Sequence, residues 1–337
     1  MSKISIALCT YNGAKFLPAQ IESFLAQTRL PDELIVCDDC STDETPQIVN
    51  DFARHAPFTV TFRINEKNLG STKNFERAIA LCGGDLIFLS DQDDVWLPQK
   101  IARIEAEFDK NLQVGLVFSD AEIVDENLEP ANCNLWQFTF SEERRKHSRN
   151  GNFFDVLLRQ NVVTGATMAF RSRYRKIFMP IPDRLPNLIH DAWISLLIAS
   201  EAKVIFVEEQ LIKYRQHSGQ QLGINYESAA KRGFLERKMR YAEGIEFSRQ
   251  EIERLKQTKE IFAVYSHFEK KRGSVSFKDL IEEKREQIAH YDARMNLPLT
   301  KTRRFLPVYR ETLTGRYHRF SKGFLSVAKD LLENWLD

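Results

Sequence analysis

Short apolar runs that close on polar residues recur along the first third of the chain, separated by stretches whose apolar positions fall at helical spacing. Ile4 to Thr10 is a near-continuous apolar run ending at Tyr11-Asn12-Gly13, which predicts a buried strand. Phe16, Leu17, Ile21, Phe24 and Leu25 then repeat with a helical period, and Pro31 breaks the chain before a second strand from Glu33 to Asp39. Ser41 to Thr45 reads as a cap for the next helix. A third strand from Thr59 to Ile64, a helix from about Thr72 to Leu81 and a fourth strand from Asp85 to Leu89 continue the rhythm. Strands alternating with helices in this way predict an α/β fold: a doubly wound, mostly parallel sheet flanked by helices.

The fourth strand drives into Ser90-Asp91-Gln92-Asp93-Asp94-Val95-Trp96. In open α/β sheets the carboxyl rim is where ligands sit. Thr10 and Asn12, Asp38 and Asp39, and Asp91 to Asp94 follow strands one, two and four, so parallel strands bring them to one rim. Asp91 and Asp93, two apart, can present carboxylates to one hard cation, which in turn can bridge the phosphates of a sugar nucleotide. The competing reading is a polar loop that caps a helix beginning near Pro98.

Further on, Val114 to Phe118 predicts a strand ending in Ser119-Asp120, and residues 126–150 read as an irregular polar loop anchored by Trp136 and Phe138. Phe153 to Leu158 is helical, and Val162 to Phe170 reads as a strand interrupted by Gly165. Pro180, Pro182 and Pro186 hold an extended connector to His190-Asp191-Ala192-Trp193. A helix from Ile194 to Ala199, a strand from Lys203 to Val207 and a polar loop from Tyr214 to Gly219 follow. After about residue 225 the texture changes. Phe234, Leu235, Met239, Ile245, Ile252, Leu255, Ile261 and Phe262 interleave with Glu, Lys and Arg as in amphipathic helices, separated at Gly273-Ser274 and Pro298. Two domains are expected, 1–225 and a helical region 226–337.

Composition narrows this picture without redrawing it. With 43% hydrophobic and 11% aromatic residues over 337 positions there is material for a core, which argues against intrinsic disorder. A formal net charge of +1 gives no global case for nucleic-acid binding. Cys9, Cys37, Cys40, Cys82 and Cys133 form an odd set lying mostly in or beside apolar runs, which points to core packing in a reducing, cytoplasmic setting, with no redox pair at Cys37 and Cys40. The sequence shows no signal peptide and no apolar run long enough to span a membrane.

The stretches ALCTYNG, ELIVCDDCSTDET, NLGSTKNFERA, LIFLSDQDDVW, NVVTGATMAF, HDAWIS and YRQHSGQ, in this order, resemble glycosyltransferase family 2, the inverting transferases with a GT-A fold. The resemblance covers roughly residues 1–220, about two thirds of the chain. SDQDDVW with HDAW and YRQHSG is most similar to bacterial rhamnosyltransferase-like members that build surface polysaccharides such as O-antigen.

The resemblance implies a Rossmann-like GT-A domain and a set of roles. Thr10 and Asn12 would face the nucleotide base, Asp39 the base or ribose, and Asn68 and Lys73 would lie near the nucleotide, Lys73 on a phosphate. Asp93 would ligate Mg²⁺ or Mn²⁺ directly, with Asp91 on the ribose or a metal-bound water and Asp94 orienting them or capping the next helix. His217 would close over the metal–diphosphate and Arg215 would contact phosphate. Asp191 would be the catalytic base that removes the acceptor hydroxyl's proton, tuned or oriented by His190. His190-Asp191 departs from the Glu-Asp common in the family, which leaves acceptor recognition by His190 open. Residues 164–167 would pass beneath the acceptor. Trp193 and Trp96 would stack on sugar faces or fill the core.

The donor so implied is a nucleoside-diphosphate sugar, with dTDP-β-L-rhamnose first and a UDP-hexose or UDP-N-acetylhexosamine second. The acceptor is a glycan or lipid-linked glycan. Two readings come from other classes. DQDD together with Asp191 argues against a catalytically silent sugar-nucleotide binder in an assembly complex, and the lack of a Gly- and Arg-rich phosphate loop argues against a nucleotidyltransferase. From Lys301 to Lys322 seven Lys/Arg stand against one acid, Glu311, interleaved with Phe305, Leu306, Val308, Tyr309, Tyr317 and Phe320. That mixture suits the anionic inner face of a cell membrane, or else a helical subdomain packing on the catalytic domain or on a second copy of the chain.

Overall fold

The computed structural model describes residues 2–149, 151, 153–182, 189–220, 234–264, 277–298 and 300–332. Packing divides the chain into two units, Met1–Arg184 with Leu188–Ile224, and Leu185–Asn187 with Asn225–Asp337. The boundary expected at 225, the separator at Gly273-Ser274 and Pro186 of the connector lie outside the described residues.

The first unit is built on one sheet. Its strands are β1 (Ile4–Thr10), β2 (Glu33–Asp38), β3 (Thr59–Ile64), β4 (Leu86–Ser90), β5 (Val95–Trp96), β6 (Val114–Val124), β7 (Pro130–Asn134), β8 (Met168–Arg171) and β9 (Lys203–Arg215). They lie in the order β3-β2-β1-β4-β8-β6-β9-β5, with β7 paired to β6. The β3-β2-β1-β4 half is parallel throughout, as the alternation requires. Beyond it β6 and β9 are parallel, while β8 runs antiparallel to both β4 and β6. Every residue of β1, β2 and β4 is buried, which explains why these strands read as unbroken apolar runs rather than as alternation.

The helices of this unit are α1 (Leu17–Leu25), α2 (Thr45–Ala53), α3 (Ser71–Leu81), α4 (Lys100–Lys110), α5 (Trp136–Thr139), α6 (Glu142–Arg149), α7 (Phe153–Arg159), α8 (Arg175–Phe178) and α9 (His190–Glu201). Several differ from the sequence expectation. The stretch 126–150 carries β7, α5 and α6; Trp136 is buried there, but Phe138 is exposed. The glycine-interrupted strand is a 3-10 turn at Gly165–Thr167 followed by β8. The strand expected to end at Val207 continues to Arg215, because it pairs with the unexpectedly long β6 as far as Val124. No cap hydrogen bond forms from the Glu44 side chain at the start of α2; Asp43 accepts from the Thr45 N–H instead. The cysteines are free.

The second unit is helical: α10 (Phe234–Val264), α11 (Phe277–Met295), α12 (Lys301–Leu313), α13 (Arg316–Phe320) and α14 (Phe324–Leu332). Its interior is strongly polar. Arg294 makes two bonds to Asp330, at 2.7 and 2.9 Å, and Tyr317 donates to the same carboxylate at 2.7 Å. His290 bridges Glu311 and Ser321. Val308 and Tyr317, expected on an aromatic-basic surface, instead form a small core with Leu297. Among the described residues no helix is long and apolar enough to cross a membrane.

Candidate active site

The register of the parallel half assembles the rim. Thr10 stands beside Asp38, and Leu8 beside Ser90, so the loops after β1, β2 and β4 emerge together. Gln92 ties two of them: its amide accepts from Tyr11 N–H at 2.8 Å and donates to the Tyr11 carbonyl at 3.0 Å. A Cβ at Gly13 would lie 2.1 Å from Gln92 Oε1, so the pairing requires glycine there.

Asp93 Oδ2 lies 2.9 Å from His217 Nε2, across 124 residues of sequence. The histidine ring rests on Phe16 with centroids 4.5 Å apart. Arg215 has its guanidinium on the carbonyls of Asp93 and Glu126 and over the Phe16 ring, while its N–H donates to Asp94 Oδ1 at 3.1 Å. A residue read from sequence as a phosphate ligand thus clamps the end of β9 onto the acidic loop. Asp94 is fully buried, its Oδ2 has no hydrogen-bond partner, and burial pushes its carboxyl well above the usual range. Lys100 is also fully buried. Its ammonium lies 3.6 Å over the Trp96 ring, donates to the Ala166 carbonyl at 2.6 Å, and feels the charges of Asp94 and Asp91. Burial, then Asp93 and Asp191, raise Asp91 to about 7.

Asp191 is the second residue of α9, where two neighbours hold its carboxylate: Gly165 N–H at 3.0 Å and the Asn161 amide at 3.2 Å. Burial raises its pKa to about 6, against the pull of these donors and of Ala192 N–H. The acid is therefore protonatable near neutrality while remaining fixed in position, which is what proton transfer at a reacting group requires. His190 is buried and stacked on Phe75 with centroids 4.0 Å apart, and burial lowers it to about 3, so it is neutral. Trp193 and Trp96 are both buried, the first donating to the Phe178 carbonyl, and both belong to the core.

The residues expected around a nucleotide are arranged less directly. Thr10 donates to Asp38 at 2.7 Å. Asn12 has φ 47°, and its side-chain oxygen accepts from Thr42 N–H, which is the turn-forming use of an asparagine. Asp39 accepts from the Asn65 amide and from the N–H groups of Leu69 and Gly70, fixing the 65–70 loop, where Asn68 donates to the Asp39 carbonyl. Lys73 binds Glu76 and the Ile181 carbonyl, and with Asn68 and Arg77 lines a cavity of about 570 Å³.

The structure adds Gln92, Lys100, Asn161 and Tyr214 to the sequence reading. Burial, then the charges of Asp94, Asp91, Asp93 and Asp191, hold the Tyr214 phenol well above its usual range. Gln92 and Asn161 fall inside stretches that the sequence singled out. Lys100 carries no signal, since a lysine in the first turn of a helix is ordinarily solvated.

The model of the family described as Glycosyl transferase family 2 matches residues 5–178. A glycosyltransferase of Nostoc sp. is 34% identical over 125 residues, which is 37% of this chain and 38% of that protein. A dTDP-rhamnosyl transferase of Shigella flexneri is 24% identical over 234 residues, 66% of this chain and 76% of the relative. Two solved structures share the fold. S. aureus TarS 1-349 in complex with UDP-GlcNAc has a TM-score of 0.54 at 15% identity, covering 99% of this chain and 89% of its own. A mannosyltransferase of Pyrobaculum calidifontis in complex with GDP-Man and Mn²⁺ has a TM-score of 0.50 at 15% identity, covering 98% and 84%.

Proposed function

The chain belongs to glycosyl transferase family 2, and from that membership we propose an inverting transferase that moves a sugar from a nucleoside diphosphate onto a hydroxyl of a glycan or lipid-linked glycan. The observation that carries the reading is one site with two kinds of carboxylate. Asp93 is paired with His217, and Asp191 is buried and held at about 6 close enough for Asp91 to feel both Asp93 and Asp191.

A divalent ion, Mg²⁺ or Mn²⁺, fits the first of these. Adjacent ligands on an octahedral ion with bonds of about 2.1 Å stand about 3 Å apart, and Asp93 Oδ2 and His217 Nε2 are separated by 2.9 Å. Among the described residues no group of three or more His, Cys, Asp or Glu is at ligand spacing, so Asp93 and His217 are the side chains that would hold such an ion. An ion held there would offset charge developing on the departing diphosphate. In the transfer itself Asp191 takes the acceptor's hydroxyl proton as that oxygen bonds to the anomeric carbon. The bond from that carbon to the diphosphate oxygen breaks, and its electron pair leaves with the nucleoside diphosphate. Gly165 N–H and the Asn161 amide hold Asp191 in place for that step.

The proposed donor is dTDP-β-L-rhamnose, giving an α-L-rhamnoside in a bacterial surface polysaccharide. The name of the Shigella flexneri relative supports it, while the complex of TarS keeps UDP-N-acetylglucosamine as the alternative. A lipid-linked acceptor would be met at the inner face of the cell membrane, and the helical second unit would make the membrane-surface or oligomer contact. Calorimetry of dTDP, UDP and GDP, each with Mn²⁺ and with chelator, tests the donor half. Metal-dependent binding that Asp93→Ala abolishes is expected, with dTDP tightest. Binding of none of the three, with or without metal, overturns the reading.

A further inference from the structure

Helices α12 and α14 carry their polarity reversed. In α12 the buried positions include Arg304 and Glu311, whereas Phe305, Leu306, Tyr309 and Leu313 are 52–70% exposed. In α14 the buried positions are Ser326 and Asp330, whereas Phe324, Leu325 and Leu332 are 68–71% exposed. At 3.6 residues per turn the four exposed positions of α12 fall within about 100° of arc. Phe324, Leu325, Ala328 and Leu332 repeat the same offsets in α14, and the two helices pack against each other.

Cations border the apolar arcs. Lys301 lies beside one edge of the α12 arc, with Arg310 and Arg303 beyond the other, and all three are exposed. Residues 300–332 contain two carboxylates, Glu311 and Asp330, and both are buried. Folding thus removes every negative charge of this segment from its surface and leaves exposed aromatics and leucines among positive charges. A patch of that kind marks an interaction site, and its charge selects the partner.

We propose that the exposed face of α12 and α14 docks on an anionic lipid bilayer, with Phe305, Leu306, Tyr309, Leu313, Phe324 and Leu325 entering the headgroup boundary and Lys301, Arg303 and Arg310 meeting lipid phosphates. An apolar arc of that width flanked by cations is the pattern of a helix lying in the plane of a membrane surface. The proposal deepens the membrane side of the transferase reading but does not depend on its sugar chemistry, because binding is measured without donor or acceptor.

The test is co-sedimentation of the full chain with phosphatidylcholine vesicles, with and without phosphatidylglycerol. Binding is expected to the anionic vesicles only, and to weaken as salt is raised. Phe305→Ser with Leu325→Ser should lower the affinity by about tenfold or more, with circular dichroism unchanged. Arg303→Glu with Arg310→Glu changes only exposed side chains, so its folding is not in question, and each reversal should cost at least about fivefold. Absence of binding by the unaltered chain, or equal binding by both double variants, overturns the proposal. So does light scattering that shows a dimer converted to monomer by the serine variant, since the face would then be covered by a second copy of the chain.

Discussion

The two units of this chain solve the same packing problem in opposite ways. The first follows the ordinary rule: β1, β2 and β4 bury every residue, and the charge they carry collects where the strands end. The second buries Arg294, Arg304, Glu311 and Asp330 and exposes phenylalanine and leucine. In the first, the buried acids Asp94 and Asp191 mark the place where chemistry is expected; in the second, buried ionisable groups pack beside a small apolar core of Leu297, Val308 and Tyr317. A buried ion network supports a fold only when every partner is present, so the second unit is held by geometry that tolerates few substitutions, whereas the first has an apolar core beneath its charged rim.

The sharpest way to break this contrast is at Asp191. Asp191→Asn should keep the fold, yet lower transfer by about 10²- to 10⁴-fold in steady-state assays. If the same substitution unfolded the chain, the rim would be as structural as the second unit's interior. Next comes Asp330→Ala, which leaves Arg294 and Tyr317 without their shared partner and should destabilise the second unit by about 3–5 kcal/mol in urea unfolding.

The pH dependence separates the two roles within one residue. Asp191 holds its proton more tightly in the fold, at about 6, than the ordinary value of 3.8. Its contribution to stability is therefore complete below the ordinary value and is lost as pH rises through about 6, by on the order of 3 kcal/mol at most. Activity runs the other way, rising through the same window as the carboxylate forms. A pH profile of kcat with an acid limb near 6 checks this, and His190→Gln should leave the limb in place, because His190 is already neutral there. The smallest effect is expected at Gly13→Ala, where a Cβ meets Gln92 Oε1 and the cost is about 1–3 kcal/mol in thermal unfolding.

Most of the parallel half of the sheet was legible in the sequence because burial on both faces writes itself as apolar runs, and β1 lies where its run predicts; β3, none of whose residues is buried, also forms where a strand was expected. Asp93 and His217 were legible as a pair only through family resemblance, since nothing local links residues 124 apart. What could not be read was the use of each polar group. Arg215 and Asp39 carry the residue types that bind phosphate and ribose, yet in the structure both hold backbone. Lys100 looks like any solvated lysine until Trp96 and the Ala166 carbonyl close around it. The reversed helices were half legible for the same reason: the aromatic-basic stretch was read as one surface, and Val308 and Tyr317, which are buried, could not be told from Phe305 and Tyr309, which are exposed, by spacing alone.

The bond between Gln92 and Tyr11 has a practical corollary for redesign. Gln92 grips the backbone of residue 11, not its side chain, which is 51% exposed. Position 11 is therefore a socket whose contents can be exchanged while the acids beside it stay where they are. A library built there would vary the exposed surface of the rim on an unchanged chassis, whereas one built at position 13 would shift the chassis itself.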